Sequence, residues 1–129
     1  MSPIPTSHRD LLDGQVAILA TNGADGRPQV TAIWFLYDDE GRLRLSLSTA
    51  RQKTKNLTAD PEATLFFIDP ANPYRTLEVR GTVEIEPDSD YAFADQLGAK
   101  YDSDLRKMDG PGVTRVAITL RPTRVNTYG

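Results

Sequence analysis

Between residues 42 and 48 a leucine falls at every second position, Leu43, Leu45 and Leu47, with Arg44, Ser46 and Ser48 between them. That is the period of a strand with one buried face. The same period runs through 76–86, where Leu77, Val79, Val83 and Ile85 alternate with Glu78, Arg80, Thr82, Glu84 and Glu86. Gly81 falls on the apolar face of that run, which predicts a bulge, a sharp bend or a close backbone approach. Segments 15–21, 29–37 and 62–69 are apolar on both faces or rich in β-branched and aromatic residues, as buried strands are. Two more strands are predicted over 114–122 and 124–128. Asn-Gly and Asp-Gly within 22–28, the acidic turn 38–41 and the Pro-bounded loop 70–75 punctuate the runs.

Helical periodicity is confined to short stretches. Residues 8–14 fit one or two turns closing at Gly14. In 88–107 the apolar residues Ala94, Leu97, Tyr101 and Leu105 recur near a helical period. The stretch Ser48-Thr49-Ala50-Arg51-Gln52-Lys53-Thr54-Lys55-Asn56-Leu57 reads as a helix that ends at Asp60, before Pro61. Together these predict a mainly β fold, an antiparallel barrel or sandwich of six or seven strands with short helices inserted. A chain of 129 residues fits a single domain spanning 1–129.

The helix after residue 48 carries an electrostatic anomaly. Thr49 and Gln52 fit a capping box, which places Arg51 and Lys53 in or near the first turn, with Lys55 four residues after Arg51. Free N–H groups already make a helix start positive, so each cation there costs a few tenths to about 1 kcal/mol. A bound anion reverses the sign, because N–H donors and cationic side chains then converge on it. The alternative is a solvated polar face.

Composition narrows the chemistry. There is no cysteine, so disulfides, thiolate nucleophiles and Cys-ligated metals are excluded. One histidine, His8, makes a His-rich metal site or a Ser-His-Asp triad improbable, and its polar surroundings predict a solvated side chain. A net charge of −3 argues against nucleic acid as a partner. No apolar run approaches 18 residues and no charged-then-apolar leader opens the chain, so no membrane span is expected and the expected location is the cytoplasm.

The runs 24–35, 45–69 and 77–86, joined by a Tyr-containing loop, together resemble the FMN-binding split-barrel superfamily of pyridoxamine phosphate oxidase-like and flavin/deazaflavin oxidoreductases. The most specific piece is Arg51-x-Lys53-x-Lys55-Asn56-Leu57 followed by Asp60-Pro61, and the likeness spans residues 10–128. Within the superfamily the spacing is most similar to the B group of actinobacterial deazaflavin enzymes that use coenzyme F-420. The resemblance implies a split antiparallel β-barrel of six to seven strands with two or three short helices, assembled as a homodimer with cofactor sites at the interface. It implies that Arg51 and Lys53 grip the cofactor phosphate, with Thr49 and Thr54 assisting and Ser46 under the tail. Gln29, Val30, Thr31 and Ala32 fall on the strand against which the family lays the ring system. Tyr74 matches a position where an aromatic residue often reaches in from the second subunit. Trp34 reads as core and Lys55 as either a phosphate contact or a solvated cation.

The chemistry implied is hydride transfer from coenzyme F-420 to a small conjugated substrate, an ene, enone, imine or tetrapyrrole-like system, with the protein supplying position and electrostatics. No side chain presents itself as the proton donor. Two rival expectations keep the fold: an FMN-binding oxidoreductase, and a non-catalytic F-420-binding or storage protein.

Overall fold

The structure, a computed structural model, describes residues 3–129. After a 3-10 helix at Thr6–Asp13 come β1 (Ala17–Asn22), β2 (Pro28–Ile33), β3 (Leu36–Tyr37), β4 (Leu43–Ser48), α1 (Gln52–Ala59), β5 (Glu62–Asp69), β6 (Asn72–Pro87), α2 (Ala92–Lys100), α3 (Leu105–Met108) and β7 (Arg115–Tyr128). The seven strands form one antiparallel sheet in the order β2-β1-β5-β6-β7-β4-β3. Its two edges, β2 and β3, are consecutive in the chain and separated only by Trp34 and Phe35. Laid flat, seven strands would hold those edges about 29 Å apart at ~4.8 Å per neighbour. The three-step link from Ile33 to Leu36 reaches at most about 11 Å. The sheet must therefore curl, and the fold is a split barrel.

The barrel interior takes the residues that the alternation marks. Leu43, Leu45 and Leu47 of β4, Leu65 and Phe67 of β5, Leu77 and Val79 of β6, and Ile118 and Leu120 of β7 are all buried in one cluster with Leu19 and Phe35. The outer face of β4 and β7 is covered too. There α2 and α3 bring Phe93, Ala94, Leu97 and Leu105 against Ala117, with Trp34, Tyr91 and Tyr101 at the margin. Asp88 starts α2, accepting from Phe93 N (3.1 Å) and Ala94 N (2.9 Å).

Several expectations change in detail. The long strand over 29–37 is two strands broken at the barrel-closing link. The strands expected over 114–122 and 124–128 are one, because Pro122 pairs opposite Gly81 at a register shift and the ladder continues past it. The loop expected over 70–75 shortens, since β6 starts at Asn72. The single helical run over 88–107 is two helices. Ser103 N bonds back to Gly98 O at 2.9 Å, and Asp104 caps the second helix through Arg106 N and Lys107 N. His8 is buried at 4% exposure, not solvated: Ser7 Oγ lies 2.8 Å from Nδ1 and Tyr128 O lies 3.1 Å from Nε2, so the ring joins the N-terminal helix to the end of β7.

Gly81 marks both a bulge and a close approach. The β6–β7 register shifts between Arg80 and Gly81, and a Cβ added at Gly81 would sit 2.2 Å from the Arg121 carbonyl oxygen. Backbone cannot swing aside as a flexible side chain can. Gly81→Ala is therefore expected to lower stability by about 2–3 kcal/mol in urea unfolding, and an unchanged midpoint would refute the close-packing account.

Candidate functional site

Helix α1 begins differently from the capping-box expectation. Thr49 N donates to Thr114 O (2.9 Å) just past the last β4–β7 pair, and the helix starts only at Gln52, so Thr49 lies two residues before the N-cap. Ser48 makes the turn instead: its Oγ accepts from Ala50 N (3.2 Å) and its carbonyl from Arg51 N (3.2 Å). Arg51 becomes the N-cap with extended backbone, no side chain caps the helix, and the first turn holds no acidic residue. Gln52 bonds along the helix to Asn56 Oδ1 (2.9 Å) rather than back to the cap. Lys53 thus lies at the second helical position, nearer the free N–H groups than the sequence implied.

The helix is moored by its polar residues. Asn56 is buried and donates to Thr21 Oγ1 and Gln29 Oε1, both at 3.1 Å, which ties α1 to β1 and β2. Thr54 is buried and donates to Ser48 O at 2.6 Å. Lys53 Nζ donates to Thr31 Oγ1 at 3.2 Å, and burial, then the nearby Arg51 charge, pulls its ammonium below the usual lysine range. A neighbouring anion would relieve both penalties on that ammonium.

Beside this helix start lies a cleft of about 530 Å³ between α1, the ends of β2 and β4, and the α3–β7 connection. Of the residues read from sequence, Ala32, Ser46, Arg51 and Lys53 line it. Gln29, Thr31 and Thr54 stand behind it as braces. Val30 is exposed on β2, the edge strand whose outer side has no strand partner. Thr49 is exposed and Lys55 is exposed away from the lining. Tyr74 is 76% exposed at the far end of β6, where Thr76 pairs Tyr128, whereas the cleft end of that ladder is Pro87 opposite Val116. Eleven residues of strand (76 to 87) separate the two, roughly 36 Å of chain. Tyr74 therefore does not reach the cleft of its own chain.

Three contributors escape the sequence reading. Trp34, read as core, lines the cleft and stacks on Tyr101 with centroids 4.2 Å apart and planes at 6°. Its place in the barrel-closing link sets it against Tyr101, just past the end of α2, and on the cleft lining. Arg115 and Asp109 form the second surprise. Arg115 Nε and Nη2 donate to the Asp109 carboxylate at 2.6 and 2.8 Å, Nη1 donates to Ser46 Oγ at 3.2 Å, and Tyr91 Oη donates to Asp109 at 2.7 Å. The Arg115 bonds, helped by Tyr91, hold the Asp109 carboxyl below its ordinary value of 3.8. The same carboxylate, with burial, pushes the Tyr91 phenol up. Only the one-residue alternation of Ser46 and the Asp-Gly-Pro-Gly break at 109–112 hinted at this corner.

The family profile described as Pyridoxamine 5'-phosphate oxidase matches residues 4–129. A solved F420 reductase is 43% identical, over 95% of this chain and 98% of its own, with a TM-score of 0.84. A conserved hypothetical protein of Mycobacterium tuberculosis is 22% identical over 97% and 84% of the two chains (TM-score 0.75). HutZ, a haem storage protein of Vibrio cholerae, is 20% identical over 100% and 96% (TM-score 0.75). The last two likenesses concern the fold.

The Asp109–Arg115 pair sets an acid response with a definite sign. A carboxyl whose folded pKa is depressed stabilises the fold above its unfolded value near 3.8 and loses that contribution as pH falls through the folded value. Asp109→Asn, which leaves a buried guanidinium unpaired, is expected to cost about 3 kcal/mol at neutral pH. The gap to the parent protein should close below pH ~4; thermal unfolding from pH 2 to 7 checks it, and a gap independent of pH would contradict the ion-pair account.

Proposed function

The chain belongs to the pyridoxamine 5'-phosphate oxidase family of split barrels, and on that premise we propose that it is an oxidoreductase that uses coenzyme F-420. The observation that carries the proposal is the uncapped start of α1 with Arg51 and Lys53 on the same cleft as Trp34 and Ser46. The 43% identity to an F420 reductase supports the deazaflavin over FMN.

The residues fit such a group. Arg51, Lys53 and the first N–H groups of α1 form a receptor for its phosphate, with Thr31 orienting Lys53 and Thr54 and Thr49 holding the turn. Ala32, Trp34, Leu47, Met108 and Val113 offer flat apolar walls for a ring system, and the free edge of β2 (Gln29 to Ala32) offers backbone groups. Bound there, a reduced deazaflavin supplies a hydride, which suits a chain without cysteine. The protein's part is then to orient ring and substrate, hold the phosphate charge and exclude water. The substrate class is a conjugated ene, enone, imine or tetrapyrrole-like system.

A second copy of the chain completes this reading. Tyr74 and Tyr128, 76% and 70% exposed at the barrel end remote from the cleft, and Val30 on the open β2 edge are apolar surfaces that a homodimer would cover. Tyr74 then reaches the partner's cleft. Light scattering is expected to give twice the 14.3 kDa chain mass; a monomer at micromolar concentration would contradict this arrangement.

The cofactor proposal is tested by titrating F-420 and FMN in parallel, followed by fluorescence. F-420 is expected to bind at least about tenfold more tightly, with Arg51→Ala/Lys53→Ala lowering its affinity by two orders of magnitude or so. Preference for FMN would move the protein to a flavin enzyme. Tight F-420 binding without oxidation of the reduced form by any conjugated acceptor would make it a carrier.

A further inference from the structure

The cleft has a polarity that neither its charges nor its shape alone convey. Its polar side chains besides Trp34 are Ser46, Ser48, Arg51, Lys53, Asp109 and Arg115. Ser46 and Ser48 alternate on β4 and therefore share a face, about 7 Å apart. Each already accepts a hydrogen bond, Ser46 Oγ from Arg115 Nη1 at 3.2 Å and Ser48 Oγ from Ala50 N at 3.2 Å. Neither hydroxyl proton has an acceptor among the described residues. With one lone pair engaged and no acceptor among those residues, each O–H is free to donate to a ligand. An ammonium group approaching Ser46 Oγ would meet the like charge of the Arg115 guanidinium, which donates to the same oxygen at 3.2 Å.

The one carboxylate on the cleft does not offset this. Asp109 is bound by two Arg115 nitrogens and by Tyr91 Oη, and its side chain is 12% exposed. Arg115 carries five N–H groups and makes four hydrogen bonds with them, two to Asp109 and two from Nη1 to Ser46 Oγ (3.2 Å) and Ser46 O (3.4 Å). The side chains of the cleft thus present mainly donors, with three cations against one neutralised carboxylate.

We propose that Arg115 is a specificity-determining residue that, locked by Asp109, fixes Ser46 beside Ser48 as a row of hydrogen-bond donors, so that the cleft accepts ligands with carbonyl or hydroxyl oxygens over β4 and rejects amines. This rests on the phosphate-receptor reading of Arg51 and Lys53 and narrows its substrate class. Enone-like and other oxygen-bearing conjugated systems fit the row, and protonated amines and iminium ions do not. The chain would thus not take the amine substrate after which its family is described.

The test needs no turnover. Pyridoxine 5'-phosphate and pyridoxamine 5'-phosphate share ring and phosphate and differ in one group, a hydroxyl against an ammonium. Trp34, the only tryptophan in the chain, lines the cleft and reports binding of either through its fluorescence. Pyridoxine 5'-phosphate is expected to bind about tenfold more tightly. Ser46→Ala/Ser48→Ala should lower its affinity about fivefold to tenfold, and Ser46→Ala alone, which leaves the turn into α1 intact, should leave the affinity for inorganic phosphate unchanged. Arg115→Gln, which frees the Asp109 carboxylate, should narrow or reverse the preference. Equal or tighter binding of the amine by the parent protein would overturn the donor-row inference and leave the phosphate receptor standing, as would a serine double variant that binds both ligands as the parent does. If no phosphate ligand binds, the receptor reading fails and this inference with it.

Discussion

Everything in this molecule is arranged around a two-residue link. Trp34 and Phe35 join the two edge strands of a seven-stranded sheet, so closing that short span forces the sheet into a barrel. The link is pinned from outside. Phe35 N donates to Tyr101 Oη at 2.9 Å, and Phe35 O accepts from Lys100 Nζ at 2.9 Å. Lys100 also sits 3.7 Å above the Phe35 ring, and burial lowers its pKa to about 8. Holding a half-buried ammonium there carries a desolvation cost, offset by the carbonyl and the ring face. The same link turns Trp34 toward the cleft, so barrel closure and site construction are one event.

The second dependency is the covered outer face of β4 and β7. A barrel strand normally shows its polar residues to water, yet Ser46 is only 8% exposed: α2 and α3 cover its ladder partner Ala117, and Arg115 bonds to it at the edge of the cleft. Covering that face buries polar groups, and each then needs a partner. Arg44 finds the Phe93 ring at 4.2 Å and Thr119 Oγ1 at 3.2 Å, and Arg115 finds Asp109 and Ser46. Among the described residues no buried side-chain nitrogen or oxygen lacks a partner. The cleft is the gap where this cover stops short of α1. No helix among the described residues is long and apolar enough to cross a membrane.

At α1 the fold tolerates an unfavourable arrangement of cations in return for a receptor. The buried Asn56, Thr54 and Leu57 moor the helix so firmly that its first turn can stay uncapped. Stability is supplied at one end of the helix while binding capacity is left open at the other, as expected where local rules are broken for function.

Local pattern alone determined roughly where the strands run, the buried faces of β4 and β6, the special place of Gly81 and the anomalous cations of α1, because each of these follows from residue period, backbone sterics or the field of a single helix. The sequence resemblance extended that to the barrel and to a phosphate receptor. What it could not determine is which polar residues meet across long separations. Arg115 lies 69 residues from Ser46, and Tyr101 lies 66 from Phe35. His8 is polar in sequence and buried in the fold because the end of β7, 120 residues away, closes over it. Trp34 looks like core in its strand and becomes the wall of a cleft only when the sheet curls. Thr49 is a good cap by composition, yet its N–H is held by Thr114 O past the end of the β4–β7 ladder and the helix starts at Gln52. In each case a partner distant in the chain decides the role, since hydrogen-bond satisfaction is settled by tertiary contact and has no local period to read.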